Sequence, residues 1–171
     1  ILLRNAGDGV PYEKNSINKN LTCRDYFVTI AETEDGIMEN LFQMNFTPNQ
    51  VKELSSLGLA HVGDGAYELL CRAHLCVQGD RTVLKLHKDT VNMVKAPAQA
   101  KMADAIKPLL TEEELGYFRR GKNAHTHAAP KCATPQEYAK ATGLEALFGA
   151  LFLLGQTQRL NELFRIGIER I

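Results

Sequence analysis

The stretch 57-LGLAHVGDGAYELLCR-72 decides the fold. With its flanks it places Leu54, Leu57, Val62, Ala66, Leu69 and Ala73 at three-to-five-residue intervals, the period of an amphipathic helix running from about Val51 to Val77. Asp64 interrupts that apolar run between Gly63 and Gly65. Glycine costs about 1 kcal/mol against alanine inside a helix, and a carboxylate is seldom buried without a partner. A helix that keeps both features is expected to pass close to another backbone and to use its acid.

Working outward, every long segment after Pro48 has helical period. Leu84, Leu86, Val91 and Val94 predict a second helix, and Pro97 opens a third that runs to about Pro108. Thr111 with Glu114 is a capping box for a helix ending near Gly121. Thr134, Pro135 and Glu137 repeat that logic for a long helix through Leu154, closed by Gly155. A last amphipathic helix covers about Gln158 to Ile171, and no strand or repeat is predicted after residue 48. The expected fold class is all-α. Residues 1–37 are polar and turn-rich, and Met38 is a natural start. They read as an extension, a tag or a misplaced start, with the working domain at 38–171.

The 171 residues are 44% hydrophobic and 23% charged, enough for one domain with a core. Twenty basic and twenty acidic residues cancel, so net charge names no partner. Their distribution says more: residues 81–140 carry eleven Lys/Arg against six Asp/Glu, which fits a local polyanion surface or a solvated basic face. The four cysteines (Cys23, Cys71, Cys76, Cys132) form no CxxC pair, and Cys71 and Cys76 read as buried thiols of a reducing cytoplasm. No apolar run approaches the ~18 residues of a membrane span. No nucleotide-binding glycine fingerprint or nucleophile elbow is present, and His125 and His127 lack the further ligands a zinc site needs.

The long C-terminal helix, 141-ATGLEALFGALFLLG-155, is apolar from Leu144 to Leu154 apart from Glu145. Two apolar helices thus carry one acid each, beside small residues that permit close approach. Two carboxylates brought together either repel, raising one pKa, or share a cation, and oxygen ligands suit Mg²⁺ rather than zinc. Ordinary ion pairs compete with that reading: Arg72 or Lys52 for Asp64, and Lys140 or Arg159 for Glu145. Glu68 and Arg72 are a helix-stabilising i,i+4 pair.

The stretch 62-VGDGAYELLCRAHL-75 resembles the "LGD-[AS]-V" signature helix of ribonuclease III, and 144-LEALFGALFLLG-155 resembles its "EALIGA-(Y/F)-L" helix. Between them, 119-RRGKNAHTHAAPK-131 and 94-VKAPAQAKMADAI-106 resemble the "RRGRNA…PK" loop and "V-x-A-x-AQA" stretch of the mini-ribonuclease III branch. The four motifs occur in order over about residues 48–165, and the resemblance to that branch implies a protein without a double-stranded-RNA-binding domain. There are departures. Leu57, Ala60 and Thr142 stand where full-length ribonuclease III has acids, losses the mini branch shares; His61 and Gly65 replace an aromatic and an alanine or serine.

The resemblance implies a ribonuclease III-type helical endonuclease domain, acting as a homodimer whose two sites lie along one valley holding the duplex. Asp64 and Glu145 match the family's essential acids and become the expected catalytic and metal residues, with Asp80 or Glu68 as a third ligand. The implied cofactor is Mg²⁺, with Mn²⁺ as a substitute. In-line attack of an activated water on phosphorus would leave 5′-phosphate and 3′-hydroxyl ends. The implied substrate is double-stranded RNA, in the branch a precursor of large-subunit (23S) ribosomal RNA, with a ribosomal protein as a conceivable further partner, no membrane and a cytoplasmic setting. A duplex is held by its phosphates and 2′-hydroxyls. The expected contacts are Arg119, Arg120, Lys122, Asn123 and Lys131 around the loop, and Lys85 and Lys88 on the second helix. Arg119 and Arg120 could instead complement a helix C-terminus. Two other classes compete with the nuclease: an inactive ribonuclease III fold that clamps duplex RNA, and a purely structural helical dimer.

Overall fold

In the computed structural model residues 45–79, 81–124 and 133–171 are described. They form α1 (Pro48–Glu53), α2 (Ser56–Cys76), α3 (Val83–Val94), α4 (Ala96–Ile106), α5 (Glu112–Lys122), α6 (Pro135–Leu153) and α7 (Thr157–Ile168), with a 3₁₀ turn at Lys107–Leu109. No strand occurs among the described residues. The segment 1–37, Asp80, His125, His127, Lys131 and Cys132 lie outside them.

Local chemistry sets the helix starts. Thr111 and Thr134 each accept the N–H three residues on, while Glu114 and Glu137 reach back to the cap, as the sequence predicts. Thr47 and Gln50 make a third such box. The helix expected over 51–77 is divided at Leu54, whose ψ of 144° is extended. Ser55 accepts the Gly58 N–H at 2.9 Å and starts α2 afresh. A serine hydroxyl competing for backbone donors overrides the apolar period at that point. Gly155 closes α6 with φ +68°.

The long helix α6 is the centre of the fold, packed by α2, α4 and α5. From Ala141 to Leu151 every residue except Glu145 is buried. Leu144, Leu147, Phe148 and Leu151 meet Tyr67, Met102, Ile106 and Phe164 in the main cluster. Tyr67 lies edge-on to Phe148 and Phe164, and its hydroxyl donates to the Met93 carbonyl at 3.0 Å. That bond ties α3 to the middle of α2. Glu114 is buried and receives two hydrogen bonds from Arg159, at 2.7 and 3.0 Å, which join α5 to α7.

One apolar expectation is corrected, and one predicted helix shows an unforeseen exposure. Cys76 is exposed, because α2 runs past the core edge; Cys71 is buried as expected. Leu84 is 80% exposed and Val91 49%, so α3 presents part of its apolar side to solvent rather than to the core.

Candidate active site

Helices α2 and α6 cross where both lack side chains. A Cβ on Gly63 would lie 1.7 Å from the Glu145 carbonyl oxygen, and one on Gly149 would lie 2.0 Å from the Leu59 carbonyl oxygen. Only glycine permits backbones to approach so closely. The contact brings the turn bearing Asp64 against the turn bearing Glu145. Gly65, by contrast, has nothing within 4 Å of where its Cβ would stand. The expected close approach therefore belongs to Gly63, while Gly65 faces open space.

The two acids sit differently from the buried pair that the apolar runs suggest. Asp64 is on the exposed side of α2, and Glu145 is half-buried in the crossing. Burial first, and the Asp64 charge second, push the Glu145 carboxyl up to about 7. Partial loss of solvent and the neighbouring Glu68 raise Asp64 as well. The two acids thus repel one another across the crossing.

None of the cations proposed from sequence relieves that repulsion. Arg72 pairs with Glu68, as expected for an i,i+4 pair. Lys140 pairs with Asp104, and Arg159 with Glu114 and Glu162. Among the described residues, neither Asp64 nor Glu145 joins an ion pair within 4.0 Å. No group of three or more His, Cys, Asp or Glu gathers as metal ligands among them either. Two adjacent carboxylates, both raised and neither in an ion pair, are the donor set a hard divalent ion fits.

A further polar group stands beside Glu145, on the helix α4 that packs against α6. Gln99 is 1% exposed on α4, and its Oε1 is buried without a hydrogen-bond partner. An amide amid 96-APAQA-100 was the available signal. Thr142, at the position of a family acid, donates its hydroxyl to the Tyr138 carbonyl at 3.1 Å.

The basic residues fall into two groups. Gly121 packs against Thr142 and Ala146, so the end of α5, with exposed Arg119, Lys122 and Asn123, lies against the α6 turns flanking Glu145. Arg119 makes a long ion pair with Glu112 at 3.9 Å. Arg120 is partly buried and donates to the Leu54 carbonyl at 2.6 Å, holding α5 to the α1–α2 break. Lys85 and Lys88 are exposed on α3, Lys85 eight residues before Met93 and therefore about 12 Å from it along the helix.

Residues 57–156 match the Ribonuclease III domain family. The chain is 44% identical over 118 residues to a protein named Mini-ribonuclease 3 from Symbiobacterium thermophilum, covering 69% of this chain and 91% of that one. It is 40% identical over 136 residues to the Mini-ribonuclease 3 of a Thermoanaerobacter species, covering 80% and 94%. A crystal structure of a Fusobacterium nucleatum protein superposes with a TM-score of 0.63 at 32% identity, over 70% of this chain and 95% of the other.

Proposed function

The chain belongs to the ribonuclease III family, in its mini-ribonuclease branch, and from that premise we propose an Mg²⁺-dependent endoribonuclease that cuts double-stranded RNA at Asp64 and Glu145. The observation that carries this reading is the acid pair itself, two raised carboxylates at one helix crossing with no ion-pair partner within 4.0 Å among the described residues. When bound, Mg²⁺ supplies an acidified water and neutralises charge on the leaving 3′ oxygen. Asp64, on the solvent side, reaches toward the backbone of an incoming duplex. Glu145 is the deeper anchor, and its proton leaves as the site is loaded. Cleavage of this kind gives 5′-phosphate and 3′-hydroxyl ends.

Arg119, Lys122 and Asn123 at the end of α5 form the surface that meets the duplex nearest the acids, and Lys131, which lies outside the described residues, is a further contact named from the sequence. Lys85 and Lys88, exposed on α3, are a second group of duplex contacts. Arg120 supports the α5 surface through Leu54 rather than by facing the RNA. The working unit is a homodimer: Leu57 and Leu69 on α2 and Val83 and Leu84 on α3 are large apolar side chains left exposed, and Gly65 offers open backbone between the first two. The substrate that the mini branch implies is a duplex in the precursor of large-subunit ribosomal RNA, in the cytoplasm. No helix among the described residues is long and apolar enough to cross a membrane.

The test is incubation of the purified chain with a long RNA duplex and with its separated strands, in Mg²⁺ and in chelator, followed by end mapping. Duplex-only, Mg²⁺-dependent cutting with 5′-phosphates supports the reading. Binding without cutting under every metal condition would replace it with a duplex clamp.

A further inference from the structure

Gln99 is the buried polar side chain that the chemistry above leaves unused. It lies in the first turn of α4, 1% exposed, among Ala96, Pro97, Ala98 and Ala100. Its Nε2 donates to the Val94 carbonyl at 3.0 Å, across the elbow between α3 and α4. That bond fixes which end of the amide is nitrogen, because two carbonyl oxygens cannot pair. Oε1 is then the only buried side-chain nitrogen or oxygen without a partner among the described residues. Buried polar atoms are nearly always paired, and an exception points to a ligand, an ion or a water. The same amide lies within hydrogen-bonding reach of the Glu145 carboxyl, on the helix that packs against α6.

We propose that Gln99 completes the cation site, its amide bracing Glu145 and its Oε1 serving as the third oxygen, directly or through a bound water. The inference rests on the active-site reading above. Mg²⁺ takes few carboxylates and keeps several neutral oxygens around it, so an amide is a suitable third donor. Charge gives a further reason. Two carboxylates already meet at the crossing, and a third would add to their repulsion, whereas an amide adds an acceptor without adding charge. Gln99 also stands on an element other than α2 and α6, so the site is approached from a third side.

The test counts free Mn²⁺ by electron paramagnetic resonance as it is titrated into the full chain, wild type, Gln99→Met, Gln99→Glu and Asp64→Asn. Asp64→Asn and Gln99→Met should each lose about tenfold or more in Mn²⁺ affinity while keeping the wild-type circular dichroism. Gln99→Glu, which restores an oxygen, should bind at least as tightly as the wild type in alkaline buffer. Wild-type affinity in Gln99→Met beside a loss in Asp64→Asn would overturn the role of Gln99 and leave the acid pair standing. Undiminished affinity in Asp64→Asn would overturn the site itself, and this inference with it. Should Gln99→Met fail to fold, the side-chain amide nitrogen resonance of Gln99 in the unmutated chain decides. A shift on adding Mg²⁺ supports the proposal, and an unmoved resonance refutes it.

Discussion

A Cβ placed on Gly63 would stand 1.7 Å from the carbonyl oxygen of Glu145, so the backbone of α2 lies directly against the turn of α6 that carries the second acid. The opening puzzle of an acid between two glycines resolves there. Gly63 makes the crossing possible, and Asp64 follows it into position beside Glu145.

Gly63→Ala should therefore cost about 3 kcal/mol or more, since backbone rather than a movable side chain meets the new methyl. Gly65→Ala has open space and should be neutral or gain up to about 1 kcal/mol of helix stability in the subunit. Urea denaturation of the two variants, followed by circular dichroism, checks the contrast. Equal effects would mean that the crossing is looser than this geometry.

The acid pair makes metal-free stability depend on pH. The Glu145 carboxyl is raised from 4.5 to about 7, so the folded chain holds a proton that the unfolded chain releases. Its contribution is full below about pH 4.5, falls as pH rises through the window to about 7, and then levels off. The difference between those values corresponds to roughly 3 to 4 kcal/mol as an upper bound. Glu145→Gln should thus stabilise the metal-free chain at about pH 8 and change little at about pH 4.5. Mg²⁺ affinity should strengthen with pH up to about 7, because binding displaces that proton. Calorimetry in buffers of different ionisation enthalpy would count it.

The Glu114 carboxylate shows the opposite sign. Hydrogen bonds from Arg159 hold it below its ordinary value against the effect of burial. Its contribution is present above the unfolded value of about 4.5 and lost as pH falls. Arg159→Met would strand a buried carboxylate and should cost about 3 kcal/mol, read as a lowered denaturation midpoint at neutral pH. The loss should shrink in acid, where the stranded group takes up a proton.

Neighbouring arginines on α5 should behave differently. Arg119→Ala and Lys122→Ala should weaken duplex binding and flatten its salt dependence by about one counterion each, with stability nearly unchanged. Arg120→Ala should instead cost about 1.5 kcal/mol of stability, since it removes the charged donor to the Leu54 carbonyl. Filter binding at several salt concentrations, beside thermal melts, separates the two effects.

The exposed apolar side chains of α2 make assembly testable too. Leu69, 54% exposed, should tolerate replacement by lysine within the subunit. Sedimentation of Leu69→Lys should show a monomer where the wild type is a dimer. A wild-type monomer would remove the homodimer from the account.

The helical class, the capping boxes at Thr111 and Thr134 and the ribonuclease III motifs were legible in the sequence because each is a local pattern. The acids were legible for a related reason: a charge in an apolar run is conspicuous wherever it points. Which way each pointed was not. Asp64 faces outward because α2 is covered on one side only, a fact of packing that period alone cannot supply. Leu84 and Val91 announced α3 by their spacing, but that they turn to solvent is again a fact of packing. The break at Leu54 turned on a single serine hydroxyl. Arg120 and Arg119 are adjacent and alike in sequence, and only the carbonyl of Leu54, sixty-six residues away, distinguishes them. Gln99 was hidden for the same reason, since its meaning comes from the Glu145 carboxyl on another helix.

The most direct test of the account is cleavage of a long RNA duplex in Mg²⁺ at low salt by the wild type, Asp64→Asn and Glu145→Gln, with duplex binding measured on the same samples. The account predicts cutting by the wild type alone, at least about a thousandfold above either variant, with binding retained in all three. Cutting by Asp64→Asn at the wild-type rate would contradict it and place the chemistry away from the α2–α6 crossing.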